Sequence, residues 1–244
     1  MNCLVLGHSG TAGFGLESAA QTWPAILEHL LNTADRRGWT VATAPLFPVR
    51  DRAIDYALRR IEALQPDLVV LSVNAYPCVV PVVSASVRHR FGIRAERFYS
   101  RLERKVERRA GQGHGQQTKT FMVARRGTRR LLGTRTIAEV GDVGHVYTGI
   151  LRRLAQLEGI QVVAVAEAPF GDSVRERIPN LGDQVATLQR LVRQTADDHR
   201  FLWFDASTWL VADGGGSFWH SDDVHLSARG NARYAEMLGA ALER

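Results

Sequence analysis

The chain opens on Asn2-Cys3-Leu4-Val5-Leu6-Gly7-His8-Ser9-Gly10-Thr11-Ala12-Gly13. Its first residues form a short apolar run that ends abruptly at a glycine. Apolar side chains that do not alternate with polar ones, bounded by a turn signal, predict a strand buried on both faces. The small residues that follow let the backbone turn sharply and leave Ser9 at the edge of whatever sheet the strand joins. Two roles are open for such a loop: it presents a serine, or its amides cradle a phosphate. The lysine of a P-loop is absent, and Gly7, Gly10 and Gly13 do not have the spacing of a dinucleotide fingerprint.

Outward from this stretch a strand–helix rhythm develops. Thr22 to Arg37 predicts a helix, with Trp23, Ile26, Leu27, Leu30 and Leu31 at helical spacing and Gly38 as its stop. Trp39 to Ala44 predicts a strand, and Asp51 to Leu64 a helix with Ile54, Ala57, Leu58, Ile61 and Leu64 on one face. Asp67 to Val73 predicts a third strand. After an interruption the rhythm resumes: helix Val146 to Leu157, strand Ile160 to Ala166, helix Leu181 to Thr195, strand Phe201 to Asp205, helix Ser227 to Leu242. Five strands alternating with helices predict a parallel sheet covered on both faces, a three-layer α/β/α arrangement. Ligand chemistry in such sheets gathers at the carboxyl ends of the strands.

The interruption, residues 77–141, is predicted as an inserted, mostly helical subdomain within a single domain spanning 1–244. Val87, Phe91, Ala95, Phe98, Leu102 and Val106 form a helical stripe, Gly111 to Thr118 a linker, and Phe121 to Leu132 a second short helix. Between Arg88 and Arg135 stand 13 Arg and 2 Lys against 3 Glu, a net charge of +12. The whole chain carries only +6, so the remainder is acidic by −6. Such a segment suits an anionic handle on a substrate, such as a carrier-linked acyl ester, or a homodimer contact. Nucleic acid is disfavoured, because no zinc-finger or RNA-recognition motif is present and aromatic residues are sparse.

Composition narrows the class further. The chain has 244 residues, 45% hydrophobic and 23% charged, which excludes wholesale disorder, collagen and coiled coil. Two cysteines, Cys3 and Cys78, cannot build a disulfide framework or a four-thiolate zinc site. The N-terminus lacks a charged n-region and cleavage pattern, which predicts a cytoplasmic protein. The most apolar stretch, Leu68 to Val87, is interrupted by Asn74, Pro77 and Pro81, so no membrane span is expected.

The second informative stretch is Ser221-Asp222-Asp223-Val224-His225-Leu226-Ser227-Ala228-Arg229-Gly230. An Asp three residues before a His can hold the imidazole through one ring N–H and leave the other nitrogen as a base. Alternatively, Asp222 or Asp223 only caps the turn and His225 is a surface side chain. Ser227 is a good N-cap for the last helix. Trp219 and His220 are read either as walls of a pocket or as loop anchors, His114 and His145 as solvated, and Cys78 as an idle thiol.

Ser9, Asn74 and Asp222-x-x-His225, each following its own strand, form a set that resembles the SGNH (GDSL-type) serine esterase and acylhydrolase family. Leu4 to Gly13 resembles the family's first block, Asp67 to Asn74 its third, and Asp222 to Gly230 its fifth. The resemblance implies a flavodoxin-like α/β fold, with Ser9 as nucleophile, His225 as general base and Asp222 as its orienter. It implies Asn74 and the Ser9 amide as oxyanion donors, and needs no metal or organic cofactor. It also implies hydrolysis of a small ester through an acyl-enzyme. An acyltransferase would use the same residues, and an anionic-partner or nucleic-acid binding protein on a degenerate scaffold is the alternative from another class. Three departures stand out. His8 replaces the first block's Asp, Ser72 and Ala75 replace the Gly and Asp of the third, and no Gly follows the second strand, where the amide of Val49 or Arg50, or the Arg50 guanidinium, could serve instead.

Overall fold

The opening apolar run forms β1 (Asn2–Gly7), with Cys3 to Leu6 fully buried, in a computed structural model that describes residues 1–34, 38–111, 131, 133–166, 168, 170–207 and 218–243. The elements that follow are α1 (Trp23–Ala34), β2 (Thr40–Pro45), α2 (Arg52–Leu64), β3 (Leu68–Ser72), α3 (Tyr76–Val79) and α4 (Val83–Gly111). After these come α5 (Val140–Leu154), β4 (Gln161–Val165), α6 (Asp172–Arg177), α7 (Leu181–Asp198), β5 (Leu202–Phe204) and α8 (Ala228–Leu242). The described residues divide into two compact units, residues 1–76 with 140–244, and residues 77–139.

In the first unit the strands form one parallel sheet in the order β2-β1-β3-β4-β5, the α/β architecture that the alternation of elements predicts. Side chains alternate across it. Cys3, Val5, Val70, Val163 and Val165 pack on one face with Leu27 of α1 and with Tyr234 and Leu238 of α8. The opposite face is covered by α2, α5 and α7. The chain leaves β1 towards β2 on one side, while β3 pairs on the other, so the loops after β1 and β3 diverge at the switch point of the sheet.

Two helices differ from the pattern in the sequence for packing reasons. In α2 the buried residues are Ala53, Ala57 and Ile61, one face centred nearer the start of the helix than the apolar pattern implies. Ile54 fills the space where a Cβ on Gly149 would lie, 2.6 Å from its Cδ1, and so locks α2 against α5. Helix α5 begins at Val140, six residues before its predicted start. Glycines depress helix propensity, but Gly144 faces Leu191 of α7, whose Cδ1 would lie 3.0 Å from an added Cβ, so the glycine permits the close helix contact.

The second unit corrects the continuous stripe expected there. Helix α4 is broken at Gly92, whose φ of 81° and ψ of 176° are not helical. Val83 and Val87, before the break, are buried, whereas Phe98, beyond it, is exposed. A helical stripe keeps one face only while the backbone keeps its phase, and Gly92 resets that phase. The linker from residue 112 and the second short helix expected up to Leu132 lie outside the described residues, apart from Leu131. Among the described residues no helix is long and apolar enough to cross a membrane.

Candidate active site

The loop after β1 is a tight coil around the carbonyl groups of His8 and Ser9. The His8 carbonyl accepts from the amides of Thr11 (2.9 Å) and Ala12 (3.2 Å) and from the Thr11 hydroxyl (2.7 Å). The Ser9 carbonyl accepts from the amides of Ala12 (3.2 Å) and Phe14 (3.3 Å). This coil exists because Gly7 has no Cβ, which would lie 2.2 Å from Thr11 Cγ2. It leaves the Ser9 side chain exposed at the carboxyl end of β1.

The loop before α8 is a small hairpin. Trp219 and Leu226 form an antiparallel bridge, the His220 amide donates to the His225 carbonyl (2.7 Å), and the Ser227 amide donates to the Phe218 carbonyl (2.8 Å). Ser227 caps α8, accepting from the Gly230 amide at 3.2 Å. A Cβ on Gly230 would meet the Phe218 carbonyl oxygen at 2.2 Å, so the hairpin closes only over glycine. Asn231 fastens it to α1: its Nδ2 donates to the Leu226 and Ser227 carbonyls, and its Oδ1 accepts from the Trp23 amide. Trp219 is buried and serves as a loop anchor.

The two loops meet at one contact. Ser9 Oγ lies 2.8 Å from His225 Nε2, and His225 Nδ1 lies 2.7 Å from Asp222 Oδ2. A carboxylate only accepts, so Nδ1 carries the proton and Nε2 accepts from the serine hydroxyl. Asp222 Oδ1 accepts in addition from the amides of Val224 (2.9 Å) and His225 (3.0 Å). Burial pushes the Asp222 carboxyl up. The hydrogen bonds from the His225 ring and from the two amides, together with the imidazole charge, outweigh it and hold the group well below the usual carboxylate range. Asp223 does different work at a φ of 56°. Its carboxylate accepts from the Ser173 amide and its carbonyl from the Gly171 amide, so it ties down the start of α6.

His8 is the departure inside this cluster. Its Nδ1 accepts from the Gly10 amide at 3.2 Å. Burial, and secondarily the neighbouring His225, lower its pKa to about 4. Where the resembling family has a carboxylate, this chain therefore has a neutral imidazole at neutral pH.

The two flanks of Ser9 differ. On the β3 side, Leu6 pairs with Leu71, so Ser9 and Asn74 each stand three residues beyond that pair on neighbouring strands. Asn74 is buried. Its amide donates to the Tyr147 hydroxyl (2.7 Å), which in turn donates to the Ser72 carbonyl (3.2 Å). The Asn74 Oδ1 accepts from the Tyr76 amide (2.8 Å), which turns Nδ2 into the donor end of the side chain. On the β2 side, the Val49 amide donates to the Phe47 carbonyl at 2.9 Å. Of the two amides considered for that side, Val49 is thus already committed.

Two neighbours of the site, Phe14 and Tyr147, are not assigned to it from sequence, and a third, His220, reads there as either a pocket wall or a loop anchor. Phe14 stacks on the His225 ring with centroids 4.4 Å apart. Tyr147, at the centre of α5, reaches the backbone at Asn74 and from sequence is only a residue of the predicted helix Val146 to Leu157. His220 packs on Gly15, where a Cβ would lie 3.0 Å from its ring. Phe14 and Tyr147 carry no linear signal, since each joins residues far apart in the chain. A groove of about 700 Å³, lined by residues including Ile61, Gln65, Asp67, Arg153 and Gly159, lies at the amino ends of β3 and β4, opposite this cluster. Among the described residues no group of three or more His, Cys, Asp or Glu side chains could hold a metal ion.

Comparison with known proteins gives a consistent result. The model of the GDSL-like lipase/acylhydrolase family matches residues 5–233. No curated protein matches the sequence. Among solved structures the chain is similar to TesA (TM-score 0.58, 15% identity, covering 100% of this chain and 98% of that one). It is also similar to the acetyl xylan esterase AlAXEase (0.59, 16%, 99% and 99%) and to a lipase/acylhydrolase from Enterococcus faecalis (0.61, 12%, 99% and 95%). At these identities the likeness is one of fold.

Proposed function

This chain belongs to the GDSL-like lipase/acylhydrolase family of ester-hydrolysing serine hydrolases, and we propose that it cleaves a small ester through an acyl-enzyme on Ser9. His225 Nε2 removes the hydroxyl proton as Ser9 Oγ attacks the acyl carbonyl. Asp222, kept ionised, stabilises the imidazolium that forms. The oxyanion leans on the Ser9 amide and on Asn74 Nδ2. Collapse breaks the bond to the alcohol, which leaves with the proton from His225. Water then attacks the acyl-serine, giving up a proton to the same nitrogen, and the acid departs.

The observation that carries this reading is the unbroken hydrogen-bonded chain from Ser9 Oγ through His225 to Asp222 at the carboxyl ends of the strands. A fluorophosphonate should label the protein at Ser9, located by peptide mass spectrometry. Ser9→Ala should keep its thermal midpoint and lose labelling, with p-nitrophenyl acetate hydrolysis falling by on the order of 10⁵-fold or more. Wild-type rates in that variant, or labelling elsewhere, would end the proposal.

A further inference from the structure

Phe14 is 57% exposed, yet its ring lies against His225, with centroids 4.4 Å apart and planes inclined by 32°. An exposed phenylalanine is unremarkable when its backbone is ordinary. Here the backbone is built around it. Gly13 and Gly15, on either side, have φ values of 79° and 81°, a region that residues with a side chain rarely adopt. Both are also closely packed. A Cβ on Gly13 would lie 2.6 Å from Thr22 Cγ2, and one on Gly15 would lie 3.0 Å from the His220 ring. The Phe14 amide donates to the carbonyl of Ser9 itself. The aromatic ring is therefore held in register with the nucleophile loop, and its position follows that of Ser9.

The imidazole it covers is held at its two nitrogens, by Asp222 on one side and Ser9 on the other, and through Cβ by its own backbone. A ring against its face opposes the remaining side-chain motion, tilting out of that plane. It also keeps water off the base, whose side chain is only 13% exposed. The Phe14 ring, more than half exposed beside His225, offers an apolar surface to whatever is esterified at Ser9. We infer that Phe14 is a positioning residue for His225 and the first apolar wall met by the substrate, favouring acyl groups longer than acetyl. The inference rests on the serine-esterase reading for its kinetic part and on geometry alone for its placement.

The test compares wild type, Phe14→Ala and Phe14→Tyr. A proton over the face of an aromatic ring resonates upfield, so the His225 ring signals, identified by their absence in His225→Gln, should move downfield in Phe14→Ala and stay in Phe14→Tyr. Labelling of Ser9 by a small fluorophosphonate without an apolar tail should slow about tenfold or more in Phe14→Ala, and Phe14→Tyr should restore it. The kcat/KM for p-nitrophenyl hexanoate should fall by about a further tenfold relative to the acetate, mostly through KM. Unchanged His225 signals in Phe14→Ala, or labelling and both esters within twofold of wild type, would overturn the inference. Should wild type neither label nor hydrolyse, the esterase reading fails by itself, and the resonance shift still decides whether Phe14 lies over the imidazole.

Discussion

The two loops that meet at Ser9 and His225 are held in different ways. The hairpin from Phe218 to Ser227 is a polar structure. Asp222 accepts from the imidazole and two amides, backbone bonds cross the hairpin, and Asn231 fastens its end to α1. The loop from Gly7 to Gly15 depends more on steric fit. Its glycines stand where a Cβ would strike Thr11, the His8 ring, Thr22 or His220. A polar loop fails when a partner is lost, because a buried group is left unsatisfied. A packed loop fails when an atom is added, because well-packed neighbours have nowhere to go. The His225 half of the site should therefore be sensitive to isosteric changes of charge, and the Ser9 half to the smallest increase in volume.

The largest effect expected from breaking this contrast is in the polar loop. Asp222→Asn keeps the shape of the side chain but places an NH₂ or a neutral oxygen against Nδ1. The imidazole then loses its fixed tautomer, and the charge that stabilises the imidazolium disappears. On the precedent of the equivalent change in serine proteases, kcat should fall by roughly 10⁴-fold. The thermal midpoint should fall by only a few degrees, since the fold is untouched. A loss below tenfold in steady-state hydrolysis of a p-nitrophenyl ester would show that Asp222 does not orient His225.

The counterpart in the packed loop is Gly7→Ala, an addition of one methyl group. Thr11 is buried, and its hydroxyl is engaged by the His8 carbonyl, so it cannot swing away without breaking that bond. The variant should lose about 1–3 kcal/mol of stability in urea unfolding. Activity should fall with it, because Ser9 lies two residues on. Combining it with Thr11→Ala, which removes the two closest atoms, should recover part of the loss. Purely additive losses in the double variant would mean that Thr11 is not what Gly7 accommodates.

The same contrast explains what the sequence discloses. The sheet was legible because β1, β3 and β4 are apolar on both faces, and that pattern is local. The Asp222–His225 pair was legible because a hairpin brings its members together within four residues. The work of Asp223 was not, since it depends on that residue adopting a left-handed conformation and turning towards α6. The early start of α5 was hidden by Gly141 and Gly144, and at Gly144 close packing against Leu191 overrides a weak intrinsic preference. Phe14 and Tyr147 were invisible as site residues for a related reason. Their partners, His225 and the Asn74 backbone, are 211 and 73 residues away.

His8 belongs to both kinds of loop and gives the smallest and most specific test. Its ring packs on Gly10, where a Cβ would lie 2.9 Å from Cε1, and its Nδ1 accepts from that residue's amide. In the folded protein its pKa is lowered to about 4, first by burial and then by His225, against 6.5 for an ordinary histidine. The unfolded chain therefore binds a proton in the window between those values that the folded chain refuses. Stability from a neutral His8 is fully present above pH 6.5 and is lost as pH falls towards 4, below which no further loss arises from this group. Between pH 7.5 and 5.5 the loss should be about 1 kcal/mol. His8→Asn retains an acceptor for Gly10 and cannot titrate. Its unfolding free energy, compared with wild type at the same pH values, should fall less by that amount, which removes the contribution of the other histidines from the measurement. Parallel curves for the two proteins would show that His8 takes up its proton without unfolding, and that the Ser9 loop tolerates a charge beside His225.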